Sequence, residues 1–98
     1  MHVGTGFISL DTSECRSLKD KRRIVKSLIT KANSKFSNAA VAEVGDANSF
    51  KSAEIGISVL ANDQTVVESM LSKVMQYVEE QSFRTILDAK AEVFLFHK

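Results

Sequence analysis

Apolar residues recur along the chain with two different periods, and the switches between them divide it into six segments. Residues 2–10, HVGTGFISL, alternate: Gly4, Gly6, Ile8 and Leu10 fall on one side of an extended chain, and Val3, Thr5, Phe7 and Ser9 on the other. β-Branched and aromatic residues favour a pleated strand. The two glycines weaken it but let a bulky neighbour come close. From Ser17 to about Phe36 the period is helical, with Leu18, Val25, Leu28, Ile29, Ala32 and Phe36 in one stripe. Ser17 can accept a hydrogen bond from a free backbone N–H of the first turn. Asp20 sits where the positive end of the helix favours a carboxylate. Asn38 follows as a stop signal. Residues 39–45, AAVAEVG, and 53–61, AEIGISVLA, read as two strands joined by a polar hairpin loop, DANSFKS. Ile55, Ile57, Val59 and Ala61 share one face of the later strand; Glu54, Gly56, Ser58 and Leu60 share the other. Asn62 or Asp63 can cap a second helix, which carries the stripe Val66, Val67, Met70, Leu71, Val74 and Val78 and ends near Gln81. Residues 84–97 alternate again: Ala89, Ala91, Val93 and Leu95 against Asp88, Lys90, Glu92, Phe94 and Phe96.

The order strand-helix-strand-strand-helix-strand predicts an α+β fold of the ferredoxin-like βαββαβ type, as one domain over residues 1–98. Right-handed crossovers put the first and third strands at the centre of a four-stranded antiparallel sheet of order 4-1-3-2, with both helices on one face. A composition of 44% hydrophobic and 26% charged residues suits a globular chain. Cys15 is the only cysteine, which excludes an intrachain disulfide and fits a reducing cytoplasm. There is no long apolar run and no signal-peptide pattern, so the expected location is cytoplasmic, with no membrane partner.

Charge changes this picture at one place. In residues 16–28, RSLKDKRRIVKSL, six of thirteen residues are Lys or Arg and only Asp20 is acidic. The net charge of +1 divides into +5 over residues 1–36 (eight basic, three acidic) and −4 over residues 37–98 (five basic, nine acidic). Helical spacing gathers Lys19, Arg22, Arg23 and Lys26 into one arc beside the apolar stripe, with Arg16 and Lys21 flanking. Such neighbours repel by ~0.2–0.5 kcal/mol per close pair. They also crowd the helix end whose dipole disfavours cations. Phosphates would neutralise the cluster and release counterions. The competing reading is a solvated face balanced by acids on neighbouring elements.

RSLKDKRRIVKSL, followed by VAEVGD (41–46) and AEIGISVLAND (53–63), resembles the YlxP-like proteins, a small bacterial family. The run from Arg16 to Arg22 is the most specific part. Glu43–Asp46 followed by Ala53–Gly56 is the second. The resemblance spans nearly the whole chain and implies a ferredoxin-like domain. Genes of such proteins often lie beside translation and ribosome-maturation factors, so it also implies ribosomal RNA or the ribosome as partner. Contacts through one stripe of Lys and Arg would read backbone and shape. Phe7 departs from the family pattern, where a polar or basic residue is more usual. DTSEC departs too, lacking a Pro-Gly before the helix.

The remaining candidates are weaker. RNA-binding domains of this topology stack bases on aromatics of both central strands, and here only Phe7 is available. Phe7, Leu60, Phe94 and Phe96, with Val41, instead predict an apolar patch and a homo-oligomer through the open sheet face. The alternative function is therefore an interaction module without a nucleic-acid role. Cys15 adjoins Arg16 before a helix but has no histidine near it in sequence, so a structural loop residue is expected. His2 and His97 would face each other across neighbouring strands with no third ligand, so no metal is expected. An acylphosphatase-like hydrolase would need a glycine-rich phosphate loop beside Arg16, and DTSECRSL has no glycine. The loop carrying Asp46, Asn48, Phe50 and Lys51 reads as a plain connection. No catalytic residue and no cofactor are expected.

Overall fold

Six elements follow one another as the hydrophobic periods predict. A computed structural model describes residues 1–97: β1 (His2–Asp11), α1 (Leu18–Lys35), β2 (Ala39–Glu43), β3 (Ser52–Ala61), α2 (Gln64–Ser82) and β4 (Ile86–Leu95). The strands form one antiparallel sheet of order β2-β3-β1-β4. That is the predicted arrangement, with β1 and β3 central because each helical crossover skips one strand position.

Both caps follow the sequence signals. Ser17 Oγ accepts from the N–H of Asp20 at 3.0 Å, and Asp63 Oδ1 from that of Thr65 at 2.8 Å. The core lies between the sheet and the helices, with Ile8, Ile55, Val59, Val67 and Val74 almost fully enclosed. Glycine in β1 lets α2 approach closely. A Cβ built on Gly6 would stand 2.5 Å from Met75 Sδ, and one on Gly4 2.8 Å from Val67 Cγ1. At the far end Phe36, which caps α1, meets Tyr77 of α2 edge to face, with centroids 5.4 Å apart.

Several side chains depart from the sequence reading. Val41 belongs to the core, not to the open sheet face: it pairs with Ile57 and is 5% exposed. Val66, assigned to the buried stripe of α2, stands outside it and is exposed. β2 ends at Glu43 and β4 begins only at Ile86, where a bulge shifts its register with β1 between Ser9 and Leu10. His2 pairs with Leu95, and His97 lies beyond the end of β4, so the two histidines are not cross-strand partners.

Candidate nucleic-acid interface

The first three turns of α1 carry the basic arc. Lys19, Arg22, Arg23 and Lys26 are all exposed, and with Ser17 and Asp20 they line one shallow depression. Arg23 Nη2 donates to Asp20 Oδ1 at 2.8 Å, and Arg22 donates to Asn48 Oδ1 from the β2–β3 loop. Among the described residues, Lys19 and Lys26 have no ion-pair partner, and no acid of another element reaches the arc. The solvated-face reading needs such acids; Asp20 is the one carboxylate present, and it belongs to α1 itself. The hydrogen bond from Arg23 holds the Asp20 carboxyl below its ordinary value, helped by the N–H of Arg16. Arg16 is exposed beside the arc.

Lys21 does not belong to this set. Its side chain is fully buried, and Nζ donates to Ser49 O at 2.6 Å and Ala47 O at 3.5 Å, with Glu43 Oε2 4.0 Å away. No phosphate can reach it. The positions Leu18, Lys21, Val25, Leu28 and Ala32 have the 3-4-3-4 spacing of the apolar stripe, so position, not residue type, marks Lys21 as interior. Its contacts tie the β2–β3 loop to the start of α1. Thr12 adds two bonds to the same loop, from its N–H to Lys51 O at 3.0 Å and from Oγ1 to Phe50 O at 3.2 Å. That loop is therefore more than a plain connection.

A second basic feature was not legible in the sequence. A cleft of about 270 Å³ runs between α1 and the C-terminal end of α2, with Leu10, Val25 and Leu28 among its apolar lining. Arg23, Lys31 and Arg84 line its rim, and no carboxylate does. Asp11 lies close enough for Arg84 to help keep its carboxyl below the ordinary value, after the larger effect of the hydrogen bonds from Ser13. Phe83 forms one wall. It caps α2 in the left-handed region (φ 52°, ψ 33°) and is 87% exposed. Arg23, Ser27 and Lys31 recur every four residues, which is a readable signal. The approach of Phe83 and Arg84 is not.

The other candidates separate. Cys15 is buried, with its N–H bonded to Thr12 O. On the open sheet face Val3 lies between Leu60 and Phe94, whereas Phe7 lies between Gly56 and Lys90. A polar row of Ser58, Thr5 and Glu92 runs between these two groups. Phe96 follows β4 and is exposed, its N–H bonded to Met1 O at 2.9 Å.

Comparison with known proteins matches residues 3–91 to a family described as a protein of unknown function (DUF503). The chain belongs to this family. The DUF503 match takes in both helices and most of β4, hence the basic arc, the buried lysine and the cleft. The uncharacterized protein YlxP of Bacillus subtilis (strain 168) is 27% identical over 63 residues, which cover 64% of this chain and 67% of that protein. Among solved structures, a candidate antibiotic biosynthesis monooxygenase from Deinococcus radiodurans superposes with a TM-score of 0.57 at 13% identity, covering 100% of this chain and 94% of that one. The de novo designed protein Foldit4 gives 0.55 at 9% identity, covering 99% and 100%. At these identities the likeness concerns the fold alone, and an activity does not travel with it. No helix among the described residues is long and apolar enough to cross a membrane.

Proposed function

We propose that this member of the DUF503 family binds RNA, in a ribosomal or translational setting, through the exposed face of α1. The observation that carries the reading is the set Lys19, Arg22, Arg23 and Lys26, all exposed around one depression that holds a single carboxylate. Folding stability does not account for that arrangement, because like charges at helical spacing and a helix N-terminus both oppose it. Phosphate contacts remove the opposition and release counterions. Lys19 and Lys26 serve as point charges, while the planar fork of Arg22 suits two phosphate oxygens at once. The cleft extends the surface: Lys31 and Arg84 hold phosphates, and the exposed ring of Phe83 offers a stacking face to one unpaired base. The translational setting rests on the resemblance to YlxP-like proteins.

The test is a filter-binding salt titration with structured RNA containing single-stranded loops. Each lost phosphate contact should lower the slope of log affinity against log salt by about 0.7–0.9. Reversing Arg22 and Lys26 together (R22E with K26E) should weaken binding more than tenfold and flatten that slope. Affinity and slope that survive the reversal would sink the proposal.

A further inference from the structure

The two edges of the sheet end differently. β2 is five residues long, and Asn33 of α1 occupies its outer edge: Nδ2 donates to Val41 O at 2.8 Å, and Oδ1 accepts from Val41 N at 2.9 Å. The side chain stands in for a neighbouring strand. β4 is ten residues long, and none of the side-chain hydrogen bonds among the described residues reaches its backbone. A long strand with an unpaired edge is a template for another strand.

The helices also leave most of β4 uncovered, with Ile86 and Val93 packed against the core. α1 packs over β2 and against α2, and α2 lies mainly over β1 and β3. Ala89, Ala91, Val93 and Leu95 fall on the helix side of β4 by alternation, since Val93 pairs with Gly4 and Ala91 with Gly6; the alternation stops at the bulge, where Leu87 is the extra residue and Ile86 pairs with Leu10. All four are apolar, and all but the half-buried Val93 are exposed. A strand facing water on that side would carry polar residues there.

We propose that β4 is the self-association edge of this protein, pairing antiparallel with β4 of a second copy about Ala91 so that one sheet runs through both. The sequence around Ala91 is self-complementary for that register. Lys90 comes opposite Glu92 of the second copy and Glu92 opposite its Lys90, on the open face. Ala89 meets Val93 on the helix side. Each copy's α2 then closes over the joined apolar strip, beside Leu71 and Met75, which already border it. Within one chain Lys90 lies 3.6 Å from Asp88, so it bridges two carboxylates once paired. Centring the pair on Lys90 would oppose Asp88 to Glu92. Centring it on Ala89 would run through the bulge and place Glu92 opposite Ile86. A two-fold axis makes such an interface closed and self-limiting. This inference is independent of the RNA reading, because the α1 arc takes no part in it.

The test is light scattering and sedimentation of the full chain across a concentration series. The wild type should run at twice 10.8 kDa. Lys90→Glu and Glu92→Lys each place two like-charged pairs across the interface and should each weaken dimerisation by about tenfold. An equimolar mixture of these two variants should regain wild-type affinity, because each supplies the charge its counterpart lacks. Circular dichroism checks that both remain folded. A wild type at 10.8 kDa throughout, single variants that dimerise undiminished, or a mixture that stays as weak as its components would each overturn the proposal.

Discussion

Lys21 Nζ lies 2.6 Å from the carbonyl oxygen of Ser49, wholly shielded from solvent. One buried cation thus joins α1 to the β2–β3 loop. Lys21→Ala leaves the Ala47 and Ser49 carbonyls and the Glu43 carboxylate without their donor. The expected loss is about 2–4 kcal/mol in urea unfolding. RNA affinity and its salt slope should hardly change under conditions where the variant remains folded, which distinguishes Lys21 from Arg22 and Lys26. A loss well under 1 kcal/mol would mean that water replaces the ammonium.

Phe83 pairs a left-handed backbone with an exposed ring, and neither favours folding. Phe83→Gly should raise stability by about 1 kcal/mol, since glycine adopts that conformation at a helix end without a Cβ penalty. The same change should weaken binding of single-stranded RNA several-fold while duplex binding is spared. Opposite signs for stability and binding are the diagnostic result; a ring required only for folding would lower both.

Asn33 satisfies both edge groups of Val41. Asn33→Ala should cost about 1–2 kcal/mol for the two bonds and leave β2 open to strand pairing. Thermal unfolding with light scattering reads both effects. An unchanged melting temperature would show that the edge is equally well served by water.

The acid side of the stability profile follows from Asp20 and Asp11. Both carboxyls titrate below their ordinary 3.8, Asp20 chiefly through Arg23 and Asp11 chiefly through the Ser13 hydroxyl. The unfolded chain therefore takes up these protons first as pH falls. The stabilisation is complete above the unfolded value and is lost as pH drops through the lower folded value. Melting temperature should fall below about pH 4, and less steeply in Asp20→Asn. At neutral pH the same variant should bind RNA more tightly, because it releases Arg23 and removes the one carboxylate of the depression.

Strand and helix phases were legible wherever a side chain's fate depends on its own element. Gly4 and Gly6 marked the close approach of α2, and Ser17 with Asp20 marked the start of α1. Val41 escaped because a short strand flanked by alanines alternates too weakly to choose a face. Lys21 escaped because its type says surface while its spacing says core; burying it is tolerable only because a loop 28 residues away supplies a carbonyl. The cleft escaped because Arg23 and Arg84 become neighbours only after the sheet is built.

The sequence by itself determined the six elements, their order, the sheet topology and the placing of four exposed cations on one helix, because periodicity and capping are local properties of the chain. Tertiary structure alone decided which of the basic residues is withdrawn from solvent, which aromatic stands beside the cationic cleft, and which sheet edge is closed by Asn33 while the other stays open. Those outcomes depend on contacts between residues far apart in the chain, whose packing no local pattern records.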